Sequence, residues 1–158
     1  ESGNTWIMNF TRGTSSKATD TTNNYVRCVR GSAVANGTLT DNGDNTVSDN
    51  VTGLIWQGNE GGVSTWDSAL TYCETLSLGG FSDWRIPNIK ELFSIVDLGS
   101  TPTIDTVSFP TAVGGPYWSS TTRIDSAGFA LVQEFSSGML TIGYKTGTSN
   151  IRCVRSNL

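Results

Sequence analysis

The chain has 158 residues, 36% of them hydrophobic and 15% charged, with a net charge of −4. That balance offers no electrostatic footprint for a nucleic-acid backbone and no basic run for an anionic membrane surface. Histidine is absent, which removes the usual general base, the commonest metal ligand and every Ser-His or Cys-His nucleophile pair, so the chain reads as a non-enzyme.

The length suits one domain with an appendage. No apolar run approaches the roughly 18 residues that span a bilayer, so no membrane insertion is expected. No signal-peptide core is present either, so a secreted protein would be in its processed form.

Taken in chain order, the first feature is a repeat. The stretch "WIMNFTRGTSSKATDTTNNYVRCVR" lies without a gap over "LVQEFSSGMLTIGYKTGTSNIRCVR", at an offset of 125 positions. Phe10 falls on Phe135, Gly13 on Gly138, Arg27 on Arg152, Cys28 on Cys153, Val29 on Val154 and Arg30 on Arg155. Self-similarity at fixed spacing marks repeated structural units. Residues 1–31 are therefore expected to be the C-terminal strand pair of a preceding repeat or an N-terminal interaction arm. Residues 32–158 are expected to be the complete domain.

The complete unit opens with Leu39 and Val47 flanking a polar cluster from Asp41 to Asn45, the pattern of a tight hairpin. A second turn at 49–53 leads into a short strand, Leu54-Ile55-Trp56. Asp41, Asp44 and Asp49 are candidate calcium ligands, yet Gly43 and Thr52 stand where an EF-hand loop needs an oxygen ligand and a glutamate. Asx turns explain the three acids without an ion.

"STWDSALTYCETLSLGG" predicts the first helix, capped by Ser64 or Thr65 and ended by Gly79-Gly80. Trp66, Ala69, Leu70, Cys73 and Leu76 recur on one face. The second helix starts at a capping box, Asn88 with Glu91, and carries Ile89, Leu92, Phe93 and Val96 as its apolar stripe. Trp84 reads as core, and Arg85 as a structural ion-pair partner.

From Leu98 to Pro116 three prolines and scattered Gly, Ser and Thr break every periodicity, predicting a long loop of the kind that carries binding residues. Strands follow at 117–121, 129–135, 139–144 and 151–155, with Ser136-Ser137-Gly138 as a hairpin turn. Two helices early and an antiparallel sheet late give an α+β architecture.

Three cysteines is an odd count. The helical period places Cys73 on the core face, where a bridge to an inner strand is feasible; three reduced thiols in a cytosolic protein are the other reading.

The blocks "DNGDNTVSDNVTGLIWQ", "TWDSALTYCETLSLGGFSDWRIPNIKELFSIVD", "YWSSTT" and "IRCVR", in that order, resemble the Lcl C-terminal domain family, named after a collagen-like bacterial surface protein. The resemblance runs from about Asn36 to Arg155. More distantly, the "TWDSALTYCETLS…WRIP" block is similar to the formylglycine-generating-enzyme group. The resemblance implies a C-type-lectin-like fold, two helices with small antiparallel β-sheets. It also implies a Cys73–Cys153 disulfide, which leaves Cys28 unpaired or intermolecular, and an extracellular or cell-surface setting with adhesion to glycans as the theme. No Glu-Pro-Asn or Gln-Pro-Asp triplet is present, so the calcium-dependent sugar site of animal lectins is not carried over, and neither is any catalytic residue.

The expected function is an extracellular binding or adhesion module for a glycan or a host or matrix polymer. It would act without a required cofactor, calcium being the one candidate. The candidate surface is the 98–116 loop with Tyr117, Trp118, Thr122, Arg123 and Tyr144. Tyr117 and Tyr144 are the expected exposed rings, because tyrosine suits half-buried recognition surfaces, whereas Trp118 reads first as core. The alternative is a structural subunit of a surface filament or tandem array, in which residues 1–31 and Cys28 contact a neighbouring copy of the protein.

Overall fold

The computed structural model describes residues 3–19, 21–30 and 38–157. The expected boundary between residues 31 and 32 lies outside the described residues. The described chain is mostly β-structure with two short helices, an α+β architecture. In chain order the elements are β1 (Asn4–Asn9), β2 (Thr14–Thr19), β3 (Leu39–Asp41), β4 (Thr46–Asp49), β5 (Leu54–Gln57) and β6 (Val63–Ser64). After these come α1 (Trp66–Glu74), α2 (Ile89–Ser94), β7 (Pro116–Thr122), β8 (Phe129–Glu134), β9 (Met139–Tyr144), β10 (Ser149–Asn150) and β11 (Val154–Ser156).

Among the described residues three sheets result: the hairpin β1-β2, a five-stranded sheet ordered β6-β10-β7-β8-β9, and a four-stranded sheet ordered β11-β5-β4-β3. The pairing is antiparallel except between β10 and β7, which run parallel through Asn150 and Tyr117. That exception follows from the last segment, which the sequence reads as one strand over 151–155. It is split instead: Ser149–Asn150 joins one sheet and Val154–Ser156 the other. Residues 151–153 cross between them.

Side chains alternate along a strand, so a strand covered on both faces feeds two cores. Leu54 and Trp56 enter one cluster with Leu92, Ile104, Phe109, Tyr117, Phe135 and Val154. Ile55 enters the other with Ala69, Cys73, Trp84, Trp118, Val132 and Cys153. Cys73 on α1 and Cys153 at the crossing form a disulfide, their Cα atoms 5.6 Å apart. Gln57 ties the same junction: its Nε2 donates to Tyr72 Oη at 2.8 Å and its Oε1 accepts from Cys153 N at 3.2 Å.

Beside it lies Arg152, fully buried. Its Nη1 donates to the carbonyls of Gln57 and Gly58, both at 2.7 Å, and its guanidinium carbon sits 4.3 Å from the Phe109 ring centroid. Glu60 stands 3.8 Å from Nη2. Burial draws the Arg152 pKa down to about 10, against the opposing pull of Glu60. Burial likewise raises the Glu60 carboxyl above its usual range, although the Val113 N–H and Arg152 oppose this.

Two local expectations change. Helix α1 ends at Glu74 with Thr75 as its cap, so the glycine pair does not stop it. Gly79 (φ +61°) and Gly80 (φ +79°) instead form a two-residue turn closed by reciprocal Leu78–Phe81 backbone hydrogen bonds, both 3.0 Å. A tight hairpin of this hand needs positive φ at both central residues, which glycine alone supplies without strain. At the start of α1 the Thr65 hydroxyl bonds Ser68 Oγ, and the Trp66 N–H is satisfied by the Lys145 carbonyl at 3.1 Å.

Helix α2 has its capping box: the Asn88 side chain accepts from Lys90 N and Glu91 N, and Glu91 accepts from Asn88 N. Arg85 grips the same Glu91 through two 2.8 Å hydrogen bonds. Leu92 and Val96 are buried as the stripe requires, but Phe93 is exposed, so the buried side of the helix is narrower than the stripe.

Candidate functional site

The residues singled out in the sequence do not form one patch. Tyr117 and Trp118 are both fully buried. For Tyr117 this corrects the expectation of an exposed ring. It packs edge-on against Phe135 with centroids 5.0 Å apart, and its hydroxyl accepts from Val113 N at 3.1 Å. Trp118 donates through Nε1 to the Ser64 carbonyl at 2.8 Å. β7 lies in the sheet interior between β10 and β8, with a core cluster on each face, so neither ring reaches solvent.

The 98–116 loop is also less free than its composition suggests. Ile104 and Phe109 are fully buried anchors, and Thr103 N donates to Phe135 O at 2.7 Å. These contacts fasten the loop to the turn end of the β8–β9 hairpin. Thr122, Arg123 and Tyr144 sit at the other end of those strands. Six residues of strand separate the two regions by roughly 17 Å.

At that far end the structure does gather a surface. Tyr144 is 67% exposed and lies against Phe129, its cross-strand partner, with ring centroids 4.3 Å apart. The Arg123 guanidinium stands 5.5 Å from the Phe129 ring centroid and donates through Nη2 to Asp125 Oδ2 at 2.7 Å. The chain reverses here through residues 123–128, held by Arg123 N to Phe129 O at 2.9 Å and Lys145 N to Gly128 O at 2.9 Å.

On the rim, Lys145 Nζ donates to Thr122 Oγ1 at 2.8 Å and sits 3.7 Å from the Trp66 ring centroid. Strand alternation sends Phe129 and Tyr144 to one face of the sheet end and Lys145 towards α1 on the other. The result is an aromatic ridge of Phe129 and Tyr144 flanked by Arg123 and Asp125 on one face, with the Lys145–Thr122 pair on the other. Its chemistry is that of non-covalent recognition: flat apolar faces for stacking, with polar groups at the edge to fix orientation.

The sequence alone does not single out Phe129, Lys145 or Trp66 for this surface. Phe129 is nevertheless within reach, since counting outward from the Ser136–Gly138 turn pairs it with Tyr144. Lys145 and Trp66 meet only through the packing of α1 on the sheet, which carries no local signal.

The three candidate calcium ligands bond their own turns. Asp41 Oδ1 accepts from Gly43 N at 2.9 Å, Asp44 Oδ1 from Thr46 N at 3.1 Å, and Asp49 Oδ1 from Val51 N at 3.0 Å. Among the described residues no three His, Cys, Asp or Glu side chains converge as a metal cage.

The profile of the Lcl C-terminal domain matches residues 45–155, well over half of the chain. The chain belongs to the Lcl C-terminal domain family. No curated protein matches it. The matched stretch of this Lcl C-terminal domain contains both helices, the disulfide and the aromatic ridge, whereas β1, β2 and Cys28 fall before it. No helix among the described residues is long and apolar enough to cross a membrane.

Proposed function

We propose that the chain is an extracellular module of a bacterial surface that binds a glycan or a related hydroxyl-rich polymer, on a C-type-lectin-like fold. The supporting observation is the exposed Tyr144 ring tilted against Phe129, with Arg123 and Asp125 beside the pair and Lys145 and Thr122 at the same sheet end on the opposite face. A pyranose offers an apolar C–H face and a rim of hydroxyls. It matches an aromatic ridge bordered by donors and acceptors better than it matches a basic groove or a deep catalytic cleft. The disulfide suits the oxidising exterior of a cell. No bond-breaking step is assigned to these groups, and the proposed role is binding.

The test is a glycan and polymer array probed with the intact chain, followed by titration of any ligand found. Tyr144→Ala and Arg123→Ala are each expected to weaken binding about 10- to 30-fold, the loss typical of an aromatic or arginine anchor. Their melting temperatures should stay within a few degrees of the parent. An array without ligand up to millimolar concentration would overturn the reading, and so would full binding by both variants.

A further inference from the structure

The N-terminal hairpin reproduces β8–β9 strand for strand at the 125-residue offset. β1 (Asn4–Asn9) and β2 (Thr14–Thr19) correspond at both ends to β8 (Phe129–Glu134) and β9 (Met139–Tyr144). Asn9 pairs with Thr14 as Glu134 pairs with Met139. At the turn, Gly13 (φ +69°) donates to Asn9 O at 2.8 Å, as Gly138 (φ +74°) donates to Glu134 O at 2.8 Å.

The two copies differ in what surrounds them. Phe135, Ile151, Arg152, Cys153 and Val154 are all fully buried in the complete unit. Their counterparts are open: Phe10 is 87% exposed, Val26 87% and Val29 95%, and Cys28 is a free, exposed thiol. Between β1 and residues 24–27 lies a cleft of about 830 Å³, lined by Trp6, Met8, Phe10 and Val26 among others. A series of side chains in core register but left in water marks a surface awaiting a partner. This unit's own framework does not serve, because residues 129–155 already fill it.

We infer that residues 4–30 are the closing segment of a second unit of this same fold, and that Cys28 bridges to that unit's α1 cysteine as Cys153 bridges to Cys73. The observed docking of the hairpin shows how two units then meet. β2 lies along β9, the outer strand of the five-stranded sheet, and Ser15 Oγ accepts the Leu140 N–H at 2.8 Å. Ser15 and Leu140 occupy equivalent positions in the repeat, as residues near the axis of an isologous interface do. The contact also covers a sheet edge that would otherwise invite indiscriminate strand pairing.

The bridge forms by exchange with a small disulfide such as oxidised glutathione. The Cys28 thiolate attacks it and releases one glutathione thiolate. The helix cysteine then attacks the mixed disulfide and releases the second. Two protein thiols lose two protons and two electrons, and one glutathione disulfide becomes two glutathiones.

The experiment places a copy of residues 32–125 directly ahead of Glu1 in the full chain, supplying both helices and the missing strands. After refolding in glutathione redox buffer, peptide mapping should find Cys28 joined to the added α1 cysteine, Cys73 still joined to Cys153, and no thiol open to alkylation. The chain without the addition should keep one alkylatable thiol. A fusion in which Cys28 stays alkylatable, whether or not the added part folds, overturns the inference. So does a Val29→Asp fusion that still joins Cys28 to the added helix, because that bridge would need no strand insertion. Glycan binding at Tyr144 plays no part in either readout.

Discussion

Arg152 shows how much a single residue can be asked to hold. Its Nη1 caps two carbonyls and its plane rests on Phe109, while the nearest carboxylate, Glu60, is at 3.8 Å. Removing a buried cation of this kind leaves the Gln57 and Gly58 carbonyls and Glu60 without their partner. Arg152→Ala is therefore expected to cost about 3–5 kcal/mol in urea denaturation. Glu60→Gln should cost far less, since the carbonyls, not the acid, make the close contacts. At the same scale Tyr117 and Tyr144 carry opposite lessons. One residue type, at two ends of one sheet, is fully buried in the first case and 67% exposed in the second. Their neighbours in sequence do not distinguish them. What distinguishes them is whether another layer packs over the ring.

Among the elements, those built by local rules were legible beforehand. The Asn88–Glu91 capping box, the Ser136–Gly138 turn and the Asp41–Asn45 hairpin each rest on residues within a few positions of one another. The Gly79-Gly80 pair reads from sequence as a helix stop because positive φ ends helices and makes hairpin turns equally well. The two glycines are nevertheless not equivalent. A Cβ on Gly79 would meet Thr46 Cγ2 at 2.8 Å and Asp44 Oδ2 at 3.1 Å, whereas one on Gly80 meets nothing within 4 Å. Gly80→Ala should then cost only the backbone strain of a left-handed residue, about 1–2 kcal/mol. Gly79→Ala should cost more, because Thr46 must also give way. Thermal melts of the two variants check the order.

For the whole molecule, the Cys73–Cys153 disulfide joins α1 to the segment crossing between the sheets, closing a loop with a sequence separation of 80. Loop-closure entropy of that length corresponds to about 4.5 kcal/mol. A Cys73→Ala/Cys153→Ala double variant should shift the denaturant midpoint down accordingly, and an unchanged midpoint would show that the folded contacts alone set the stability. The pairing follows from the family resemblance and not from the cysteines alone, because three cysteines by themselves allow several arrangements.

The sequence by itself determined the features set by neighbours along the chain: the hairpin turns, the α2 capping box, the hairpin registers, the α+β composition, and the 125-residue offset that makes Cys28 the counterpart of Cys153. Only the tertiary structure decided which aromatic rings face water, that the 98–116 loop is anchored away from Tyr144, and that Lys145 meets Trp66. The division has one cause. Local geometry depends on a few adjacent dihedrals, whereas burial depends on what distant segments bring to both faces of a strand.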